Sequence, residues 1–299
     1  MAAFTTPTEF VPGDREVGRP ELPVGDQLHL PGRGTTQLRR VQGPPGAPTV
    51  LLLHGWTVTA ALNWFRVYRP LSERFNVISY DQRGHGRGIR PDGRFRLRDA
   101  VGDAVAVLDE LGVDRAIVAG YSMGGTVAQL LAHHHRDRVS GTVLAATWAH
   151  GPSSPLQNRL LRASHLAGGA LGRIPERGQT AAVRSVWARV APTSPNDRPP
   201  WFVDEVTSGS FPHIISAGRE LARFDSRTWL RTLDAPTGVF ITTRDLVVPP
   251  SRQHALAARL PDASIREAPI DHDGCAVRPD AFVEPFVDLV DEVAQRATD

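Results

Sequence analysis

The stretch AGYSMGG, residues 119–125, decides how the rest of the chain is interpreted. Its inner five residues fit the pattern Gly-x-Ser-x-Gly, in which a serine stands on a sharp turn between a strand and a helix. The apolar run AIVAG leads into Ser122, and a helical pattern follows it. Gly120 and Gly124 supply the small residues that so tight a turn needs on both sides of the serine. This context favours a nucleophile over a surface serine in a glycine turn.

Strands and helices alternate along most of the chain. Short apolar runs typical of buried parallel strands occur at TVLLL (49–53), NVISY (76–80), AIVAG (116–120), GTVLAA (141–146), GVFIT (238–242) and, less clearly, SIREAPI (264–270), with a further strand at 35–41. Amphipathic helical patterns lie between or after them, at 97–111, 126–135, 251–260 and 281–295. The alternation predicts an α/β fold with a mostly parallel central sheet flanked by helices.

The alternation stops near residue 150. From there to about residue 230 the chain is rich in arginine and proline, with helix-like stretches at 158–171, 180–190 and 214–224 and a proline-rich piece at 191–200. We therefore predict a helical cap over 151–230, inserted into a core formed by 35–150 and 231–299. Residues 1–34 are rich in proline and glycine without periodicity, which predicts a loosely ordered lead-in.

Composition and charge narrow the class of protein. The hydrophobic fraction of 41% suits a globular chain with a substantial core, and the net charge of +2 gives no sign of a nucleic-acid partner. Cys275 is the single cysteine, so no intrachain disulfide can form. Together with the lack of a secretory signal pattern and of any apolar run long enough for a membrane span, this predicts a cytoplasmic protein. Nothing in the sequence indicates an oligomeric state.

A second motif, His54-Gly55-Trp56, follows the buried run TVLLL. A serine that attacks a carbonyl creates a tetrahedral oxyanion, which needs hydrogen-bond donors, usually two. The backbone N–H of Met123, directly after the serine, is one candidate, and the N–H of Trp56 is the other. We interpret His54 as bracing this loop rather than as the catalytic base.

Five motifs in this order resemble those of the α/β-hydrolase superfamily: HGW (54–56), YDQRGHGRG (80–88), GYSMGG (120–125), TTRDLVVPP (242–250) and DHDG (271–274). Each motif is loose by itself, but the set and its order are specific. The resemblance covers roughly 35–150 and 231–299 and implies an esterase-like or lipase-like serine hydrolase. The insertion at 151–230 has the position of the helical cap of that superfamily.

The resemblance implies a Ser-acid-His order for the catalytic triad. The acid then follows the strand GVFIT, which indicates Asp245, and the base follows the last strand, which indicates His272. In such a triad the base takes the proton of Ser122 and the acid orients the base. Asp225 and Asp234 are poorer candidates for the acid because neither follows a strand.

Other reactive residue types receive a structural interpretation. Asp271 and Asp273, beside His272, are taken as loop residues, and Cys275 as packing. The three histidines at 133–135 stand in a row at a helix end and lack zinc-site spacing. The run RGHGRG (83–88) fails the dinucleotide fingerprint Gly-x-Gly-x-x-Gly because, counted from Gly84, the position of the third glycine is Ile89. We therefore expect neither a metal nor a cofactor.

Aromatic side chains near and within the insertion are candidates for an apolar substrate pocket, although they equally suit the cap's own core: Tyr121, Trp148, Trp187, Phe211 and Phe224. The sequence thus predicts hydrolysis of small to medium, apolar carboxylic esters. A cofactor-free perhydrolase or haloperoxidase, a C–C bond hydrolase and a non-catalytic ligand-binding protein remain alternatives. Ser122 argues against the relatives that use an aspartate nucleophile, the epoxide hydrolases and haloalkane dehalogenases.

Overall fold

The computed structural model describes residues 8–151 and 199–298. Its strands are β1 (Phe10–Val11), β2 (Leu22–Pro23), β3 (Gly25–Leu30), β4 (Gly34–Val41), β5 (Thr49–Leu53), β6 (Asn76–Tyr80), β7 (Ala116–Tyr121), β8 (Val139–Ala145), β9 (Thr237–Thr242) and β10 (Ala263–Ala268). Its helices are α1 (Ala60–Trp64), α2 (Tyr68–Ser72), α3 (Leu97–Glu110), α4 (Met123–His134), α5 (Pro200–Thr207), α6 (Phe211–Arg223), α7 (Pro250–Ala257), α8 (Gly274–Val277) and α9 (Pro279–Arg296). Every apolar run predicted as a parallel strand is a strand, with ends displaced by two residues at most.

Eight of these strands form one sheet in the order β10-β9-β8-β7-β5-β6-β4-β3. Strand β4 runs antiparallel to both of its neighbours, and all other neighbouring pairs are parallel. Strands β1 and β2 form a separate antiparallel pair. The predicted α/β fold with a mostly parallel, helix-flanked sheet is confirmed.

The sheet order reverses at β5, which pairs with β6 on one side and with β7 on the other. Chain segments that leave β5 and β7 therefore diverge and open a crevice beyond the carboxyl ends of these strands. Ligands of open α/β sheets bind in such crevices. His54 follows β5 and Ser122 follows β7, so the two motifs found in the sequence meet at this point.

The core has two halves, one on each face of the sheet. In β5, Leu51 and Leu53 belong to the half that includes α3 and α4, whereas Val50 and Leu52 belong to the half that includes α9. Each of these side chains is fully buried, and burial of one stabilises the fold by about 1.5–3 kcal/mol. Burial on both faces explains why the strand reads as a continuous apolar run. No helix between residues 8 and 151 or 199 and 298 combines the length and hydropathy that spanning a bilayer requires.

The predicted lead-in over 1–34 is wrong for its last part, because β3 is an edge strand of the main sheet. Gly25–Leu30 pairs along its whole length with β4. Most of its side chains face solvent, so the strand carries no apolar alternation for a sequence pattern to detect. Backbone hydrogen bonds to β4, together with the burial of Leu30 at its end, hold it in the sheet.

Helices α5 and α6 lie in the segment 151–230 that was predicted as a cap. Helix α6 corresponds to the helix predicted at 214–224 and begins three residues earlier. Helix α5 starts at the end of the proline-rich piece 191–200, and the sequence analysis did not predict it. The helices predicted at 158–171 and 180–190 lie outside the described residues.

Helix α6 is fixed to the core by polar contacts. The Ser216 hydroxyl accepts a hydrogen bond from the Phe95 N–H over 2.9 Å, just before α3. The indole Nε1 of Trp56 donates to the carbonyl of Ile214 over 2.7 Å. The loop after β5 is therefore tied directly to α6.

The chain leaves and re-enters the core through two adjacent segments that pair with each other. The Gly151 N–H donates to the Phe224 carbonyl and the Ser226 N–H donates to the Ala149 carbonyl, each over 2.7 Å. The Ser226 hydroxyl also donates to Gln129, a buried residue of α4, over 2.7 Å. We call this paired segment the neck. It is anchored on the same helix that follows Ser122.

Two histidines are fully buried in the loops that follow β5 and β6. The rings of His54 and His85 lie 5.5 Å apart, edge to face. Burial lowers the pKa of His54 from 6.5 to about 4. Burial, with a smaller contribution from the His54 ring, lowers the pKa of His85 from 6.5 to about 3. Both rings are therefore neutral in the folded protein at neutral pH.

These shifts predict that acid destabilises the fold before its carboxylates titrate. The unfolded chain takes up protons on these histidines as the pH falls below 6.5, whereas the folded chain does so only near pH 4 and 3. Across this window each histidine should lower the free energy of unfolding by about 1.4 kcal/mol per pH unit. Urea unfolding at a series of pH values measures the slope.

The matched variant is His85→Asn, whose amide can still donate to the Arg83 carbonyl that His85 contacts over 3.0 Å. Its slope between pH 6.5 and 4 should be smaller than that of the unsubstituted protein by about 1.4 kcal/mol per pH unit. An unchanged slope would contradict the burial of a neutral His85.

Candidate active site

Ser122 occupies a strained turn between β7 and α4. Its backbone φ of 53° and ψ of −114° lie outside the regions that residues with a side chain normally adopt. Three hydrogen bonds hold the turn: the Ser122 N–H donates to Ala145, and its carbonyl accepts from the Gly125 N–H and the Thr147 hydroxyl. These bonds hold the strained turn, which places Ser122 at the carboxyl end of β7.

The glycines that flank the turn are required by the close approach of backbone segments. A Cβ on Gly120 would stand 2.2 Å from the carbonyl oxygen of Gly124. A Cβ on Gly124 would stand 2.0 Å from the carbonyl oxygen of Leu53, at the end of β5. Real Cβ atoms do not approach backbone this closely, so only glycine fits at either position.

The structure brings the three predicted triad residues together, although they lie far apart in sequence. The Nε2 of His272 is 3.0 Å from the Ser122 hydroxyl oxygen. The Nδ1 of His272 is 2.7 Å from Oδ2 of Asp245. Asp245 is 1% exposed and Ser122 5% exposed. The arrangement suits removal of the serine proton by an imidazole that a carboxylate orients.

Asp245 is held by more than its histidine partner. Its Oδ1 accepts hydrogen bonds from the N–H groups of Val247 and Val248, each over 2.8 Å. Its Oδ2 accepts from the Thr242 hydroxyl over 2.8 Å. Gln253 of α7 in turn donates to that hydroxyl over 2.8 Å and accepts from the Thr242 N–H. The sequence analysis missed Thr242 and Gln253, whose only signal is proximity to the acid along the chain.

Both ring nitrogens of His54 are occupied, which excludes it as the base in this conformation. Nε2 accepts from the Gln82 N–H over 2.8 Å, so the proton lies on Nδ1, which donates to the Gly55 carbonyl over 2.7 Å. In a planar trans peptide the C=O and the following N–H point in opposite directions. By holding the carbonyl of Gly55, His54 thus turns the N–H of Trp56 away from itself.

The two predicted oxyanion donors remain available for a ligand. Gly55 lies close enough to the turn that a Cβ on it would be 3.5 Å from the Cβ of Ser122. Met123 is the first residue of α4, where a helix leaves its N–H groups without intrahelical acceptors. Between residues 8 and 151 and from 199 to 298, neither the Trp56 nor the Met123 N–H has a hydrogen-bond acceptor.

The aromatic residues predicted for the pocket have different environments. Tyr121 is 2% exposed, its ring packs against Trp64, Phe282 and His272, and its hydroxyl donates to the His272 carbonyl. Trp148 and Phe224 are also buried, in the apolar cluster that includes α4. Phe211 is half-buried at the start of α6. Trp187 lies outside the described residues.

The remaining reactive residue types do not gather into a second centre. Asp271 and Asp273 are exposed, and Cys275 is buried with its pKa raised to about 12 by burial. His133 stacks on the ring of Trp229 with centroids 4.4 Å apart. Across the described part of the chain, no three His, Cys, Asp or Glu side chains are grouped so as to hold a metal ion.

Comparison with known proteins places this site in a family. Residues 48–279 match the family of the alpha/beta hydrolase fold. A putative carbamate hydrolase of Caulobacter segnis is 29% identical over 255 residues, which cover 82% of this chain and 92% of that protein. A 3-oxoadipate enol-lactonase of Acinetobacter baylyi is 28% identical over 222 residues, 73% of this chain and 80% of that protein.

Solved structures agree on the fold. A hydrolase from Pseudomonas aeruginosa has a TM-score of 0.72 at 23% identity, with 89% of this chain and 98% of that chain covered. The family match spans well over half of the 299 residues and includes both the Ser122 turn and the loops of Asp245 and His272. The chain belongs to the alpha/beta hydrolase fold family and is a hydrolase.

Proposed function

We propose that this hydrolase cleaves carboxylic esters of small to medium, apolar substrates through an acyl-enzyme. The observation that carries the proposal is the geometry at Ser122, whose hydroxyl lies 3.0 Å from a histidine that contacts a buried carboxylate. The backbone N–H groups of Trp56 and Met123 lie in the segments beside it, and neither has an acceptor among the described residues. These are the parts that acyl transfer through a serine requires.

In the proposed reaction, the Ser122 oxygen bonds to the ester carbonyl carbon while Nε2 of His272 takes the hydroxyl proton. The carbonyl π electrons move to the oxygen, and the N–H groups of Trp56 and Met123 bind the resulting anion. Collapse of this intermediate breaks the bond to the alcohol, which leaves with the proton from His272. Water then repeats the sequence on the acyl-enzyme and releases the acid. Asp245 keeps the ring in the required tautomer throughout.

The same catalytic groups could act on several kinds of carbonyl substrate, and the similar proteins indicate which kinds to consider. A lactone is a cyclic ester, and the likeness to an enol-lactonase over 73% of the chain supports an ester carbonyl. A carbamate carbonyl passes through the same kind of tetrahedral anion. The likeness to a carbamate hydrolase over 82% of the chain makes carbamate hydrolysis the second candidate.

The proposal also covers the insertion and the compartment. We propose that residues 151–230 form a helical cap, because α5 and α6 are helical and α6 contacts the loop of Trp56. We propose a cytoplasmic location, because Cys275 is the only cysteine and is free and buried. A protein without disulfide bonds loses no crosslink in a compartment that keeps thiols reduced.

Replacement of the proposed nucleophile gives the first test. Ser122→Ala should lower kcat for a p-nitrophenyl ester by a factor on the order of 10⁴ or more, because it removes the hydroxyl that the proposed mechanism acylates. A fluorophosphonate probe should attach one adduct to the unsubstituted protein and none to the variant, as read by intact-protein mass spectrometry.

The control variant is Ser264→Ala, in β10, whose hydroxyl contacts Glu292 at the edge of the sheet. It should keep both the turnover and the adduct. Ester turnover by Ser122→Ala close to that of the unsubstituted protein would refute the mechanism. A folded protein that neither turns over an ester nor takes up the probe would instead indicate a ligand-binding role.

A substrate panel tests the bond that is cleaved. We expect aryl esters of two to eight acyl carbons to be turned over faster than aryl carbamates that release the same phenol, since an ester carbonyl is the more electrophilic. Initial rates from phenol release measure both. A higher kcat/KM for the carbamates would favour the second candidate, and peracid formation from acetate and peroxide at a rate above ester hydrolysis would favour a perhydrolase.

A further inference from the structure

Asn63, on the short helix α1, connects two loops of the site. Its side chain is buried, 4% exposed. Its Oδ1 accepts a hydrogen bond from the Gly55 N–H over 2.8 Å, in the loop that carries Trp56. Its Nδ2 donates over 3.5 Å to the sulfur of Cys275, which lies on α8, three residues after His272. Both ends of the amide are therefore used, and each end holds a different segment of the site.

A second bond holds the same segment at His272. The hydroxyl of Tyr121, at the end of β7, donates to the carbonyl oxygen of His272 over 2.9 Å. The three side chains are all more than nine-tenths buried, so water does not compete for these bonds.

Both bonds act on the same short segment of chain. Asn63 donates to the sulfur of Cys275, and Tyr121 donates to the backbone carbonyl of His272, three residues earlier. The segment that carries His272 is therefore held by two buried side chains, and one of them also holds the loop of Trp56.

Burying the polar side chain of Asn63 is unfavourable unless its amide is hydrogen-bonded. All five residues of α1 are buried, and an apolar side chain would fill such a site without any polar group to satisfy. A buried amide left without partners costs about 1–3 kcal/mol. With both ends bonded, Asn63 instead adds hydrogen bonds that specify where the two loops lie.

We propose that Asn63, Cys275 and Tyr121 form a positioning relay that sets the oxyanion donor of Trp56 and the base His272 in register with each other. The inference rests on the proposed function, since it assigns these residues to the same site. None of the three touches the reacting atoms. The relay acts on the transition state, in which the anion and the proton on His272 must be accommodated at once.

The first test removes the side-chain amide of Asn63 and compares this variant with the same substitution at an asparagine far from the site. Asn63→Ala should lower kcat for the ester by about ten- to a hundredfold with KM within about twofold, because a displaced oxyanion donor affects mainly the transition state. Affinity for a trifluoromethyl ketone, which forms a tetrahedral adduct with the serine, should fall by the same factor as kcat/KM. Titration of active sites with a fluorophosphonate corrects for unfolded protein.

The control is Asn76→Ala. Asn76 accepts from the Gly43 N–H over 2.9 Å and donates to the Ala47 carbonyl over 2.8 Å, at the start of β6 and so at the opposite end of the sheet from Ser122. This variant loses hydrogen bonds of the same kind and should keep kcat per active site. Asn63→Ala with a kcat per active site equal to that of Asn76→Ala would overturn the relay.

The second test uses the cysteine, where polarity and packing predict opposite orders. Serine can accept the hydrogen bond of Asn63 that the cysteine sulfur accepts, whereas alanine cannot, so Cys275→Ser should have the higher kcat. If Cys275 acts only by packing, Cys275→Ala should match or exceed Cys275→Ser. Hydrogen exchange should also become faster in Cys275→Ala at 54–58 and 271–275 together. Unchanged exchange at both loops would overturn the relay even if the protein proved to hydrolyse no ester.

The two hypotheses fail in different ways. Loss of the proposed function would appear in the unsubstituted protein, as absence of ester turnover and of a Ser122 adduct. Failure of the relay would appear as ester turnover that Asn63→Ala and Cys275→Ala leave intact.

Discussion

The contact between α4 and the end of β5 is the constraint on which the site depends. Where Gly124 passes the carbonyl of Leu53, no room exists for a single methyl group. This close approach places the first turn of α4 against the carboxyl end of β5, at the point where the order of strands reverses. The loop of Trp56 and the turn of Ser122 are adjacent for that reason. The loops that carry Asp245 and His272 extend to the same place.

The strain at Ser122 is held by structure that has little to do with chemistry. A positive φ at a non-glycine residue costs on the order of 1–3 kcal/mol, and it persists only where the surroundings leave no alternative. Here the surroundings are a fully buried strand, a helix that is buried on nearly all sides and the hydroxyl of Thr147. The large apolar core on both faces of the sheet therefore stabilises a local conformation that would not form in a small peptide.

Sequence patterns predicted most of the parallel sheet because its strands are buried on both faces and read as apolar runs. They also predicted Ser122, Asp245 and His272, since each follows a strand and the three occur in a recognisable order. The apolar-run pattern did not predict β3, because most of its side chains face solvent. It also did not predict that Tyr121 is buried beneath the site, a position that follows from the alternation of side chains along β7. Asn63 was not predictable, because its partner Cys275 lies 212 residues away in sequence. Thr242 and Gln253 lie near Asp245 in sequence, but no residue pattern distinguishes them from other polar residues of a strand end or a helix.

The neck has a consequence for how this chain can change over evolutionary time. Its two segments are hydrogen-bonded to each other, and Ser226 binds Gln129, so the chain between residues 151 and 224 starts and finishes at one place. Closing a longer or shorter segment at such a point costs only a slowly varying entropy and leaves the spacing of the sheet unaltered. That segment can therefore be exchanged as a unit, while the sheet, the Ser122 turn and the loops of Asp245 and His272 are inherited unchanged.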